Sequence, residues 1–269
     1  MIQCLKSTKN FWVVLALKNT KTRRKVVFRN GCTAQLNLSE YKIIIGPLSS
    51  GYFVESLGSL WSFSKGKIKI IGPLQYMSVL NEDFDKNCIV DCSNRIVLDV
   101  GGFLGDTAVH FSARGATRVI IYEPVEAYHE FIRLNVALNG VNAELHDEGI
   151  GETDGCITVR YDRLGYDFGL RNSGANEMTI KTRSVRRVID ESGADIAKFD
   201  CEGAERSLLS VPSEVLRKIG FYIIETHSLE IKKALKSAFE SAGFVLVKDI
   251  PNAGYRGYEK LSTVYFRRI

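Results

Sequence analysis

The sequence predicts a doubly wound α/β domain whose mostly parallel sheet closes with an antiparallel hairpin, preceded by a small, basic N-terminal α+β extension. Three observations carry this. From Ile96 onward, short apolar runs alternate with turns and amphipathic stretches, the rhythm of a parallel sheet flanked by helices. The last two apolar runs, residues 244–250 and 261–267, are separated by a loop (251–260) with no helix in it, so they are expected to pair antiparallel. Residues 1–90 lack the alternation.

In chain order, residues 95–100 form the first buried strand, followed by glycines and a helix over 106–114 that Gly115 caps. Residues 118–123 are the second strand. Pro124 opens a helix whose Ala127, Phe131, Leu134 and Leu138 recur at helical spacing, and Gly140 ends it. A third strand spans 143–147. Residues 156–160 and 178–185 are expected to pair around a Gly-, Tyr- and Asn-rich loop, 161–177, a candidate substrate lid. A short helix (186–192) leads to the fourth strand (195–200), then a helix over 205–219 interrupted near Pro212. The fifth strand is 221–227. A helix over 229–242 then puts Ile231, Leu235, Ala238 and Phe239 on one face before Gly243 and the closing hairpin. Upstream, residues 25–28 and 32–38 read as a hairpin around Asn30-Gly31, and 67–71 as a further strand.

Composition supports an ordinary globular chain: 269 residues, 45% hydrophobic, 25% charged and only five prolines. We divide it into a module over 1–85 and a main domain over 86–269. The apolar run from Phe11 to Leu17 is seven residues long, whereas a membrane helix needs about 20, so no transmembrane segment or secretory signal is expected. The six cysteines lack paired Cys-x-x-Cys spacing, which argues against a zinc site and for a reducing, cytoplasmic setting. The formal charge of +5 is uneven: residues 1–90 hold 13 Lys+Arg against 5 Asp+Glu, and the remainder is slightly acidic. Such a face steers anionic substrates, nucleic acid or a membrane surface, or is simply solvated.

The strongest local signal is "VLDVGGFLGD", residues 97–106. Gly101, Gly102 and Gly105 allow close backbone approach to a ligand, and Asp106 starts the helix whose N–H groups face it. Asp99, two residues before the first glycine, would repel a pyrophosphate but welcome an ammonium or sulfonium. Glu123, ending the second strand, is placed to accept both hydroxyls of a ribose. A ligand with a ribose, an ammonium and no pyrophosphate is S-adenosylmethionine. The structural alternative is that Asp99 and Glu123 cap helices or pair with lysines. Asp147 and Glu148, past the third strand, stand where either could accept the adenine amino group or be solvated turn acids.

"KFDCEGAERSLL", residues 198–209, ends the fourth strand, and "IETH" ends the fifth. Asp200 with Glu202, and Glu225 with His227, have i, i+2 spacing, so each extended pair shares a side. His227 suits a general base near neutral pH or bonds a strand end. Asp200 and Glu202 orient a hydroxyl or hold a divalent cation such as Mg2+. Lys198 is a candidate to stabilise an alkoxide. Glu205 reads as a helix-start acid favoured by the macrodipole, and Cys201 as core.

"VLDVGGFLGDT", "VIIYEPVEAYHEFIRLNVALNG", "KFDCEGAE" and "YIIETH" together resemble FkbM-type methyltransferases, over residues 85–250. These are class I S-adenosylmethionine enzymes that methylate hydroxyls, often of sugars or other secondary metabolites. The resemblance implies a Rossmann-like, seven-stranded sheet with a terminal antiparallel hairpin. It implies cofactor contacts at Asp99, Gly101, Gly105 and Glu123, and matches Asp200, Glu202 and His227 to the family's acidic and E-x-H elements. Gly102 departs from the alanine of many relatives, and Cys201 from a branched apolar residue. The expected activity is O-methylation of a sugar, glycan or small metabolite. RNA methylation with the basic N-terminal region as RNA-binding module is the alternative.

Overall fold

The computed structural model describes residues 7–18, 22–82, 88–162, 174–251 and 262–269. The chain divides into two compact units, one of residues 1–89 with 137–139, the other of 90–136 with 140–269.

In the first unit, α1 (Phe11–Leu17) precedes the hairpin of β1 (Arg24–Val27) and β2 (Thr33–Leu36). Its connection passes through Gly31 at φ +94°, and Asn30 Oδ1 accepts the Cys32 N–H at 3.0 Å, so Asn-Gly acts as a turn signal here. α2 (Leu38–Ser49), absent from the sequence expectation, opens on a capping box. Asn37 Oδ1 accepts the Glu40 N–H at 3.0 Å, and Glu40 Oε2 accepts the Asn37 N–H at 2.9 Å. Its Tyr41 is buried, stacked on Phe28 and sharing a hydrogen bond with Thr8. β3 (Phe53–Leu57), β4 (Leu60–Lys65) and β5 (Ile68–Pro73) form an antiparallel meander of which only β5 matches an expected strand. A 3-10 segment (Leu74–Glu82) follows.

The second unit begins with β6 (Ile96–Val100), α3 (Asp106–Ala113), β7 (Arg118–Tyr122), α4 (Glu126–Leu138), β8 (Ala143–His146) and β9 (Gly149–Gly151). It continues with β10 (Gly155–Tyr161), β11 (Asn176–Ser184), α5 (Val185–Ser192), β12 (Ile196–Phe199), a 3-10 segment (Ala204–Ser210) and α6 (Ser213–Leu216). β13 (Phe221–Thr226), α7 (Leu229–Ser241), β14 (Phe244–Pro251) and β15 (Ser262–Arg268) complete it.

Seven strands make one sheet in the order β14-β15-β13-β12-β6-β7-β8. β13, β12, β6, β7 and β8 run parallel, while β15 is antiparallel to both β13 and β14. The expected architecture is therefore the observed one. β12, buried along its whole length, reads as a continuous apolar run because helices cover both faces of such a sheet. The chain leaves β6 toward β7 on one side and returns to β12 on the other. That reversal opens a crevice at the carboxyl end of β6, where ligands of such sheets bind.

α7 packs by its expected stripe, with Ile231, Leu235 and Phe239 buried. The Phe239 ring lies 4.6 Å from that of Phe266, 4.8 Å from Tyr222 and 5.2 Å from Phe244. α4 differs from expectation: Ala127, Leu134 and Leu138 are exposed, and the buried face is Tyr128, His129, Ile132 and Asn135. Two of those four are polar because they bind the neighbouring backbone. Asn135 Nδ2 donates to the Leu104 carbonyl at 2.9 Å, and His129 Nε2 lies 2.6 Å from the Glu123 carbonyl. β10 and β11 pair antiparallel as expected, and β9 adds a parallel strand beside β11. Most of the expected lid, residues 163–173, lies outside the described residues, as does the hairpin loop from 252.

Candidate active site

The glycine turn is built to bring chain against chain. Gly101 has φ +90°, and a Cβ there would overlap the carbonyl oxygen of Asp200, so β6 meets the end of β12 more closely than any other residue would allow. At Gly102 a Cβ would run into the Ile121 side chain, the local reason alanine does not stand here. The close approach seen is thus internal, and it sets Asp99 beside Lys198.

Asp99 is fully buried. Its Oδ2 accepts the Thr107 hydroxyl at 2.6 Å, and its Oδ1 has no hydrogen bond, with Lys198 Nζ at 3.7 Å. Lys198 reaches Asp200 Oδ2 at 3.2 Å on its other side. Burial pushes the Asp99 carboxyl up to about 6, against the pull of Lys198 and Thr107. Burial also raises Asp106, which His110 and Lys198 partly offset. Burial works against the charge on Lys198, but Asp200, Asp99 and Asp106 outweigh it and hold the ammonium charged.

Glu123 lies just beyond β7, buried. Its Oε1 accepts the Val125 N–H at 2.9 Å and its Oε2 the Phe103 N–H at 2.8 Å. Burial lifts it to about 7 in spite of both bonds. Phe103 adopts φ +43°, an uncommon conformation for a bulky residue, which aims its N–H at Glu123 while its ring meets Tyr128 edge-on at 4.8 Å. Past β8, Asp147 lies 3.9 Å from Lys181 and Glu148 3.7 Å from Arg183.

At the end of β12 the expected i, i+2 alternation gives way. The strand stops at Phe199, and Glu202 takes φ +54° with Gly203 at +103°, so a turn rather than an extended strand carries Glu202 back toward Asp200. His227, one residue past β13, completes the group. Its Nε2 is 3.4 Å from Glu202 Oε2 and 3.9 Å from Asp200 Oδ1.

The third carboxylate at His227 is Glu205, which sequence reasoning assigned only to a helix start; Glu225 adds its charge to the field at the imidazole. Glu205 is fully buried in the first turn of the 3-10 segment. Its Oε2 accepts the Gly203 N–H at 2.8 Å, and its Oε1 accepts the His227 backbone N–H at 3.0 Å and Nδ1 at 3.1 Å. Since the Glu205 carboxylate can only accept, Nδ1 carries a proton, and Nε2 faces Asp200 and Glu202. The available signal was Leu208: a core residue three positions on puts Glu205 on the same inward face. Burial opposes protonation of His227, but Glu205, Asp200 and Glu225 overcome it and raise the imidazole above its ordinary range. Cys201 packs against the core, and burial followed by the Glu205 charge pushes its thiol far up, which leaves it unreactive.

The sequence profile described as "Methyltransferase FkbM domain" matches residues 99–256, more than half the chain, and the chain belongs to that family. It is an S-adenosylmethionine-dependent methyltransferase. Among solved structures it is similar to the ribosomal protein L11 methylase of Lactobacillus delbrueckii subsp. bulgaricus, at 15% identity and a TM-score of 0.40 over 74% of this chain and 81% of that one. It is also similar to precorrin-6y C5,15-methyltransferase of Geobacter metallireducens, at 14% identity and 0.41 over 66% and 81%. A Streptococcus mutans protein assigned as a SAM-dependent methyltransferase is similar at 11% identity and 0.47, over 88% and 58%. Among curated proteins none matches.

Proposed function

We propose that the chain transfers a methyl group from S-adenosylmethionine to a hydroxyl of a sugar, glycan or small metabolite. The observation that carries this reading is His227, whose side chain is 5% exposed, tied through Nδ1 to Glu205 and turned through Nε2 to Asp200 and Glu202 at the carboxyl edge of the sheet. When bound, the cofactor supplies an electrophilic methyl on a sulfonium.

The residues present fit that cofactor. Asp99 Oδ1, buried without a hydrogen bond, suits an ammonium donor, and each Glu123 oxygen keeps a second lone pair for a ribose hydroxyl. Gly101, Gly102, Gly105 and Asp106 frame the same edge, while Asp147 and Glu148 are the adenine-side candidates. The acceptor hydroxyl meets Asp200, Glu202 and His227. These three side chains would orient its oxygen toward the methyl group and favour loss of its proton. Lys198, held charged by Asp200, Asp99 and Asp106, bridges the donor edge and the acceptor group. An aligned reactant and an oriented proton acceptor are the two contributions a protein can make to such a transfer.

The turn Asp200-Cys201-Glu202-Gly203 offers carboxylates rather than a flat platform for a base, which favours a hydroxyl over a nucleobase nitrogen. Residues 1–85 are then a substrate module, and the five described cysteines, all free, support a reducing cytoplasmic setting. The test is incubation with methyl-labelled donor and cell extract, followed by product identification. An alkali-stable methyl ether in the glycan or small-molecule fraction is expected. Label confined to RNA would move the assignment to RNA methylation.

A further inference from the structure

We infer that Asp200, Glu202 and His227 form a binding site for one hard divalent cation, with Mn2+ as its natural probe. The three ligand atoms lie within 4.8 Å of one another. Cation–ligand bonds of about 2.1 Å in an octahedron put neighbouring ligands ~3 Å and opposite ones ~4.2 Å apart. The separations of 3.4 Å and 3.9 Å from His227 Nε2 to Glu202 and Asp200 fall inside that span.

The imidazole points to a cation independently of the acids. Its side chain is 5% exposed, its Nδ1 is satisfied by Glu205, and its Nε2 makes no hydrogen bond although it faces two carboxylates. A histidine that donates one ring N–H to a buried carboxylate while the other nitrogen waits is the arrangement that orients a metal-ligating imidazole. Asp200 is divided in the same way: Oδ2 takes Lys198 at 3.2 Å, and Oδ1 is left for the site. Among the described residues, Asp200, Glu202 and Glu205 outnumber the ammonium paired with this group, Lys198, so a dication balances it. Two carboxylate oxygens and one nitrogen favour Mn2+ or Mg2+ over soft metals.

This rests on the reading that the acceptor hydroxyl reaches the same group. Bound to the cation, that hydroxyl ionises more readily and releases its proton to water, and His227 serves as ligand rather than base.

The experiment is a titration of chelator-stripped full-length protein with Mn2+, without methyl donor or acceptor, followed by electron paramagnetic resonance. One saturable Mn2+ per chain, displaced by Mg2+, is expected. Glu202→Gln should abolish it, and Glu205→Gln should weaken it about 10- to 100-fold by freeing the imidazole. Glu177→Gln, on an exposed ion pair, should not change it. Melting curves in chelator check folding, and Asp200→Asn replaces Glu202→Gln should the latter not fold. No saturable binding, binding unchanged in these ligand variants, or Zn2+ binding that Mg2+ does not compete with would overturn the inference. Mn2+ binding without methyl transfer to any hydroxyl would sink the O-methylation reading alone. Chelator-insensitive transfer without Mn2+ binding would sink the cation site alone.

Discussion

Gly101 is the position where one methyl group matters most. Gly101→Ala adds a Cβ onto the Asp200 carbonyl at φ +90°, so the turn bearing Asp200 and Glu202 must shift. The expected cost is about 1–3 kcal/mol in urea denaturation, with weakened methyl transfer; a loss below about 0.5 kcal/mol would show that the turn yields freely. Glu123 provides a pH signature. Its folded pKa, about 7, lies above the ordinary 4.5, so its contribution to stability is full below pH 4.5 and lost as pH rises through 7. Glu123→Gln removes that loss. Relative to wild type, the variant should therefore gain roughly 3 kcal/mol between pH 4 and pH 8, because a tenfold change in proton affinity is worth about 1.4 kcal/mol. Denaturant midpoints across that range check the sign, and a pH-independent difference would refute it.

Among the elements, α7 and α4 show what a sequence pattern can and cannot reveal. α7 was legible because its buried positions are all apolar and follow the 3.6-residue period. α4 was not, because its inward face includes His129 and Asn135, whose burial depends on carbonyls that only the folded loop supplies, while Leu134 and Leu138 face outward. The mostly parallel sheet and its closing hairpin could be read from the alternation of apolar runs and the helix-free last loop. Glu205 could not, since its partner His227 is 22 residues away and the turn at Glu202 joins them. α2 was missed although Asn37-x-x-Glu40 spells a capping box. Phe239→Ala should cost about 3–5 kcal/mol by opening the cluster of Tyr222, Phe244 and Phe266. On α4, Ile132→Ala should cost about 2–5 kcal/mol and Leu134→Gln no more than about 0.5 kcal/mol. Equal effects at the two positions would restore the face expected from the sequence.

For the whole molecule, the donor and the fold should stabilise one another, because a ligand that binds only the native state adds stability in proportion to the logarithm of its concentration. S-adenosylhomocysteine at 100 times its Kd should add about 2.7 kcal/mol. Asp99→Asn should remove most of that gain; an undiminished gain would place the product elsewhere. The central claim, that the Glu205–His227 pair and its facing carboxylates activate the acceptor beside a separately held methyl donor, is tested most directly by steady-state methyl transfer with His227→Asn. The account predicts kcat lower by about 10²- to 10⁴-fold, with S-adenosylhomocysteine affinity within about twofold of wild type. Unchanged kcat, or donor affinity lost in step with kcat, would contradict it.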